Sequence, residues 1–150
     1  MHEILEWFWT VLESARPDLG RLASWLEAAT RTEIEAFTRK FSEAKEAVAN
    51  YSDGVQVDGT VFSEDSMEDL CEWIVAQGRD FWEAAVSGGT DLAELAREYL
   101  AEESGRAASR AWDASALGEK YRGYRSAYYL AFGVYRARFD ADLYDAICGD

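Results

Sequence analysis

Apolar side chains recur at the spacing of an α-helix along most of this 150-residue chain. The clearest case is residues 31–51, where one face carries Ile34, Phe37, Phe41, Ala44 and Val48. Thr30 and Glu33 form a capping box at its start. The same spacing predicts further helices at 3–16, 19–29, 63–86, 91–103 and 119–139, and a short one at 141–148. Asp18 and Asp140 are the expected caps of the second and the last of these helices.

One segment breaks the helical pattern. Residues 51–62 contain two Asp-Gly pairs and alternating valines, which predicts an irregular loop or a minimal hairpin. One hairpin does not make a sheet, and no linker is long enough to divide the chain. We therefore expect an all-α fold, a single-domain bundle of about six or seven helices over residues 1–150.

Composition indicates a folded protein in a reducing compartment. Apolar residues make up 49% of the chain and aromatic residues 14%, which is enough to build a core. No apolar run approaches the roughly 18 residues that a membrane span needs. Cys71 and Cys148 are too far apart in sequence to indicate a disulfide framework or a zinc-ligand pair. These features predict a soluble, cytoplasmic protein without a membrane partner.

The charge of the chain is strongly acidic. Fifteen basic residues against 29 acidic ones give a net charge of −14, which opposes binding to nucleic acid and is compatible with a basic protein partner or with a solubilising surface. The excess is concentrated in residues 1–75, with 16 acids against 6 bases, whereas residues 76–150 hold 13 against 9. Head-to-tail self-association between the two halves stays open.

No familiar catalytic pattern is present. The sole histidine, His2, lies at the terminus, and the phosphate-binding, zinc-protease and serine-hydrolase motifs are absent. Glu68 with Glu72, and Glu94 with Glu98 and Glu102, are four apart and suit solvated helix faces better than a metal site or an acid–base pair. The sequence therefore predicts no catalytic residue, no metal and no cofactor.

The region around residues 63–82 holds the candidate binding residues. Its acidic run has two interpretations, a stabilised helix start or an edge that meets a basic partner. In WIVAQGRDFW, residues 73–82, Gly78 lies on the same apolar line as the residues before and after it. The glycine indicates either a helix end with a fresh start at Arg79 or the close approach of another helix. The candidate binding residues are Glu64, Asp65, Glu68, Asp69, Glu72, Trp73 and Arg79.

A second distinctive segment, residues 121–139, is rich in tyrosine and arginine. Its spacing predicts one core stripe with arginines beside it, and an alternative is a stacking surface for single-stranded nucleic acid. The predicted stripe consists of Tyr121, Tyr124, Tyr128, Tyr135 and Phe139.

Three stretches resemble a known family: FWTVLESAR, LASWLEAATRTEIEAFTRKF and SEDSMEDLCEWIVAQGRDFWEAAV. They are similar to a bacterial family of small helical proteins classed as a domain of unknown function, with an FWxx[IL][ED]x[AS]R opening and a W[IL][IV]xQGR core motif. The resemblance covers about residues 7–95, which leaves residues from 96 onward as specific to this protein. It implies a helical bacterial protein and names no active site.

Two functional hypotheses follow. The first is a non-catalytic acidic protein acting through protein–protein contacts, either an immunity- or antitoxin-like inhibitor or a regulatory adaptor. The alternative is an enzyme or small-ligand binder with a helical cleft around Arg79, where the arginine would anchor an anion.

Overall fold

The computed structural model describes residues 6–49, 56–57, 59–89, 91–103 and 112–148. This part of the chain contains eight α-helices, one 3₁₀ turn at Glu119–Tyr121 and one antiparallel hairpin. The hairpin pairs β1 (Gln56–Val57) with β2 (Thr60–Val61). The helices are α1 (Glu6–Ala15), α2 (Leu19–Ala28), α3 (Arg31–Ala49), α4 (Glu64–Val75), α5 (Arg79–Val86), α6 (Leu92–Glu103), α7 (Ala127–Phe139) and α8 (Leu143–Cys148). The predicted all-α class and the minimal hairpin are confirmed, but the described residues hold eight α-helices where six or seven were expected. Residues 51–55 and 58 of the predicted loop lie outside the described residues.

The described residues divide into two compact units, and the boundary falls inside α3. We call residues 43–111 the acidic unit, because their sequence holds 16 acidic and 5 basic residues, a net charge of −11. We call residues 4–42 and 112–150 the near-neutral unit, because they hold 12 acidic and 10 basic residues, a net charge of −2. The expectation that residues 1–150 form one domain stays a prediction.

The near-neutral unit is built around packed aromatic rings. Helix α2 packs against α1 and α7, and α7 packs against α8. Phe37 is fully buried, and its ring centroid lies 5.1 Å from that of Phe8, 5.4 Å from Trp25 and 6.1 Å from Phe41. Such tilted and edge-on ring pairs add to the stabilisation from apolar burial.

Arginines of the near-neutral unit bind backbone carbonyls at helix ends. Arg138 on α7 donates from Nη1 to the carbonyls of Leu26 and Ala29, both at 2.6 Å, at the end of α2. Arg39 on α3 donates from Nη2 to the carbonyl of Ala146 on α8 at 2.8 Å. The last carbonyls of a helix have no partner within the helix, so these guanidinium groups satisfy them and join the helices.

The acidic unit packs α4 against α5 and α6, and strand β1 contacts α6. Its core includes Leu70, Ile74, Trp82 and Leu95, all buried. The indole of Trp82 donates from Nε1 to the carbonyl of Ala44 at 2.9 Å, which connects α5 to the end of α3.

The helical pattern over residues 63–86 forms two helices, which separate at Gly78. Helix α4 ends at Val75, and Gly78 precedes α5 with a φ of 107°, a left-handed conformation that favours glycine. The amide of Gly78 donates to the carbonyl of Val75 at 3.1 Å, so the chain turns before the new helix. The interpretation of Gly78 as a break with a fresh start at Arg79 is confirmed.

The predicted helix over residues 119–139 is longer than the helix in the structure. Residues Glu119–Tyr121 form a 3₁₀ turn, and α7 begins only at Ala127, where the Ser126 hydroxyl accepts a hydrogen bond from the amide of Tyr129 at 3.2 Å. Tyr121 and Tyr124 therefore do not belong to the α7 stripe. The buried Tyr128 and Tyr135 do lie on α7, as the core interpretation predicted.

Three predicted helix caps can be compared with the structure. Asp18 accepts from the amide of Gly20 at 2.8 Å, and Thr30 and Glu33 form the capping box of α3. Asp140, in contrast, is the left-handed C-cap of α7, with a φ of 51°. The side chain that caps α8 is Asp142, which accepts from the amide of Tyr144 at 2.9 Å. Throughout the described ranges, every helix is too short or too polar to cross a membrane.

Candidate functional site

The acidic run of the sequence forms the first three turns of α4. Ser63 caps this helix, because its Oγ accepts a hydrogen bond from the amide of Ser66 at 3.1 Å. Carboxylates in the first turn of a helix are stabilised by the helix dipole. The local sequence therefore explains why α4 starts after Ser63. It also explains why the helix is stable with carboxylates in its first turn.

Most of the predicted binding residues lie at the surface of the acidic unit. Asp65, Glu68 and Asp69 are exposed, and Glu72 is half-buried. Glu64 is the first residue of α4, but its side chain lies outside the described atoms. The structure thus brings four described carboxylates together on one twelve-residue helix.

A buried lysine that was not among the predicted site residues lies beside these carboxylates. The Nζ atom of Lys45 is 3.3 Å from Oε1 of Glu68, and the Lys45 side chain is only 8% exposed while that of Glu68 is 57% exposed. The sequence contains a signal for this position, because Lys45 lies between Phe41 and Val48 on the buried side of α3. A charged amine on an apolar helix face needs a partner, and Glu68 provides it.

Cys71 is buried next to this ion pair. Burial raises the pKa of its thiol to about 11, Lys45 acts in the opposite direction, and Glu68 raises the pKa further. The thiol is therefore protonated at neutral pH, and because the thiolate is the reactive form, Cys71 is a poor nucleophile. It acts as a small apolar core residue.

Trp73 lies in the core of the acidic unit. It is 7% exposed, and its ring makes edge contacts with Phe81 at 5.6 Å and Tyr99 at 5.7 Å between centroids. Its Nε1 donates to Oε1 of Glu102 on α6 at 3.1 Å. Trp73 thus connects α4, α5 and α6, and a role in binding would be indirect.

Arg79 lies at the first position of α5. Its Nε donates to Oε1 of Glu83 at 2.8 Å, an i,i+4 ion pair in which both side chains are about half exposed, at 45% and 52%. The geometry is that of a surface pair on one helix face. The hypothesis of a ligand cleft around Arg79 stays a prediction.

The acidic ladders can also be compared with the geometry of a metal site. Among the residues that the structure describes, no group of three or more His, Cys, Asp or Glu side chains is arranged to hold a metal ion. The carboxylates have other contacts: Glu68 binds Lys45, and Glu102 accepts the indole hydrogen of Trp73.

The chain belongs to the family described as "Protein of unknown function (DUF4240)", whose model matches residues 5–122. No curated protein and no solved structure matches the chain significantly. The family match corrects the extent of the resemblance, which the sequence motifs placed at about residues 7–95. Residues 96–122, expected to be specific to this protein, therefore lie within the family region.

Proposed function

We propose that this protein is a non-catalytic binding protein whose acidic unit docks onto a basic protein, as an inhibitor of the immunity or antitoxin kind or as a regulatory adaptor. The observation that carries the proposal is the separation of charge between the two units. Residues 43–111 carry a net charge of −11, whereas residues 4–42 and 112–150 carry −2. A charge excess confined to one unit produces a directional field, which attracts and orients a partner of opposite sign.

The exposed carboxylates of the acidic unit support this proposal. Asp65 and Asp69 are four residues apart on α4 and are both exposed, and α6, which packs against α4, exposes Glu94 and Glu98. Within the unit, Glu68 forms an ion pair with Lys45. Glu102 accepts a hydrogen bond from the indole of Trp73. Asp65 and Asp69 lie on the exposed face of α4, where a partner's lysines and arginines would contact them.

The proposal of a non-catalytic role rests on the sequence and on one buried group. The chain has a single histidine at position 2 and no catalytic motif. Cys71 is protonated at neutral pH, with a pKa of about 11, which removes the most obvious nucleophile of the acidic unit.

Paired variants with equal charge change test the proposal. The first variant carries Asp65→Asn with Asp69→Asn, on the exposed face of α4. The control carries Glu13→Gln with Asp145→Asn, two exposed positions of the near-neutral unit. Both variants lose two negative charges, so they differ only in where the charge is removed. Circular dichroism establishes that both retain the helical content of the parent.

The measurement compares crosslinked partners from the source cell for the parent and the two variants, followed by titration of each purified partner at low and high salt. We expect a basic protein to be crosslinked to the parent and to the control but not to the α4 variant. The Kd of this protein for the α4 variant should be about fivefold to tenfold higher than its Kd for the parent. The affinity should fall as salt is added. If every captured protein binds the two variants equally well, the proposal is wrong.

A further inference from the structure

A cavity of about 570 Å³ lies within the near-neutral unit, along residues 112–125. Its walls include Trp112, Asp113, Leu117, Glu119, Arg122 and Arg125. This volume falls within the range of small-molecule sites, roughly 300–1,000 Å³. The cavity is open to solvent, and its lining combines an indole with two guanidinium groups and two carboxylates. None of these residues belongs to the acidic surface proposed above.

The first part of the cavity wall is fixed to α2. The amide of Asp113 donates to the carbonyl of Pro17 at 2.6 Å, and the amide of Leu19 donates to the carbonyl of Asp113 at 2.9 Å. These two segments of the chain therefore pair as a short parallel bridge. Ala116 then packs onto Gly20 so closely that a Cβ atom at Gly20 would lie 2.8 Å from the Ala116 methyl. These contacts hold the Trp112 end of the wall in place.

The second part of the wall is fixed to α2 and α7. Tyr121 is buried, and its hydroxyl donates to Oε2 of Glu27 on α2 at 3.0 Å. The ring of Tyr124 covers Gly133 of α7, where any side chain would collide with it. The cavity is therefore held by contacts at both ends, and a preformed site costs less to organise when a ligand binds.

One guanidinium group of the wall is available to an anion. The lining holds two arginines and two carboxylates, so its formal charges balance. Arg122 forms an ion pair with Glu119, which neutralises both groups. Arg125 is exposed and donates from Nη1 to the carbonyl of Tyr124 at 3.1 Å; among the described side chains it has no carboxylate partner. Its other N–H groups are thus available for a ligand.

The remaining acid of the cavity is already engaged. The Oδ1 atom of Asp113 accepts a hydrogen bond from the amide of Ser115 at 2.9 Å. The hydrogen bonds from the Ser115 backbone and side chain hold the pKa of Asp113 below its usual value, so it is ionised at neutral pH. A ligand in the cavity therefore encounters one guanidinium without a carboxylate partner and, elsewhere in the same lining, the indole of Trp112.

We propose that this cavity binds a small organic anion, in which a carboxylate or phosphate contacts Arg125 and a planar ring lies against the indole of Trp112. Guanidinium groups bind both kinds of oxyanion in a fork geometry, and an indole provides a flat apolar surface for a ring. The ligand combines these two features in one molecule small enough for the cavity.

The test titrates the full chain with four probes and follows the amide resonances of residues 112–125 by NMR. The probes are phenyl phosphate, benzoate, inorganic phosphate and benzyl alcohol. We expect phenyl phosphate or benzoate to shift these resonances to saturation, and the tighter of the two identifies the anionic group. Inorganic phosphate, without a ring, and benzyl alcohol, without a charge, should each bind about tenfold more weakly or not at all.

Two variants test the contacts. Arg125→Ala should weaken the tighter probe by about tenfold, because a charge-assisted hydrogen bond is lost. Arg136→Ala is the matched control, since Arg136 is exposed on α7 and does not line the cavity. Trp112→Ala should weaken phenyl phosphate and leave inorganic phosphate unchanged. No saturable shift in residues 112–125, or equal binding to the Arg125 and Arg136 variants, overturns the proposal. Asp65→Asn with Asp69→Asn should not affect this binding, so the two proposals fail independently.

Discussion

The acidic unit and the near-neutral unit use their charged side chains in opposite ways. In the near-neutral unit, arginines bind the structure together: Arg138 binds carbonyls at the end of α2, and Arg39 binds a carbonyl of α8. In the acidic unit, one buried cation, Lys45, pairs with Glu68, while Asp65 and Asp69 remain at the surface. Cations thus join the helices of the near-neutral unit, and carboxylates dominate the surface of the acidic unit.

The charges of the near-neutral unit contribute to its stability. A balanced unit gains stability by directing its charges at orphan carbonyls and at buried tyrosines, as in the hydrogen bonds from Arg31 to Tyr135 at 2.7 Å and from Tyr135 to Glu35 at 2.6 Å. A unit with a charge of −11 must tolerate self-repulsion. Such a charge suits the basic partner proposed above, and it also keeps a protein soluble.

The largest expected effect tests the aromatic core of the near-neutral unit. Phe37→Ala should lower the free energy of unfolding by about 3–5 kcal/mol, because a fully buried ring with three aromatic neighbours leaves a cavity. Phe81→Ala in the acidic unit should cost about 1–2 kcal/mol, because its ring is only half-buried. Urea denaturation measures both values. Equal losses would contradict the view that aromatic packing is concentrated in the near-neutral unit.

The second prediction concerns stability at alkaline pH. The pKa of Cys71 is about 11 in the folded chain and about 9 when unfolded, so the unfolded state loses its proton first. The contribution of the protonated thiol to the free energy of unfolding is therefore fully present below about pH 9. It is lost as the pH rises towards 11, which lowers the free energy of unfolding by on the order of 2 kcal/mol.

The control for this pH effect is Cys148, which is exposed. Cys71→Ala should reduce the loss of stability between about pH 8 and about pH 10.5, whereas Cys148→Ala should not. Tyrosines ionise over the same range in both variants, so the difference between the variants isolates Cys71. Identical pH profiles in urea denaturation would show that Cys71 is not desolvated, and that the interior of the acidic unit is wetter than its burial indicates.

The third prediction tests the attachment of residues 112–125 to α2. Alanine is normally favoured over glycine in a helix, yet Gly20→Ala should destabilise the protein by about 1–2 kcal/mol, because the new methyl meets Ala116 at 2.8 Å. Gly118→Ala is the matched control, since a Cβ atom there has no neighbour within 4 Å and its φ of −73° suits any residue. Thermal unfolding compares the two. A Gly20 variant as stable as the control would mean that this attachment is loose.

The sequence predicted the helical class well because periodicity reports a local property. The stripe from Ile34 to Val48 is buried as expected, and the caps at Asp18, Thr30 and Glu33 depend on residues only two or three apart. Apolar spacing could not locate the break at Gly78, because a glycine that starts a new helix and one that allows close packing give the same pattern. The start of α7 at Ala127 was not predicted for a similar reason. Tyr121 is buried and Tyr124 is half-buried, both by tertiary contacts outside the helix.

The candidate site was predictable only in part. The acidic run could be assigned to a helix face from sequence, and its exposed members lie there. The position of Lys45 beside Glu68, however, joins residues 23 apart, and the cavity at Trp112 depends on contacts with α2 and α7. Such long-range pairings leave no periodic trace in a single sequence, so the structure is needed to find them.

The smallest expected effect concerns Arg79 and returns to the contrast between the units. Arg79→Ala should lower the free energy of unfolding by only about 0.3–0.5 kcal/mol, because an exposed i,i+4 ion pair is worth little. Removing this cation also raises the repulsion in the acidic unit, so the loss should shrink as salt is added. Arg122→Ala, in an even more exposed pair of the near-neutral unit, should show a smaller dependence on salt, because the charges around it are nearly balanced. Urea denaturation at low and high salt measures both. A loss above about 1 kcal/mol at Arg79 that persists in high salt would contradict a surface role and show that Arg79 makes a further structural contact.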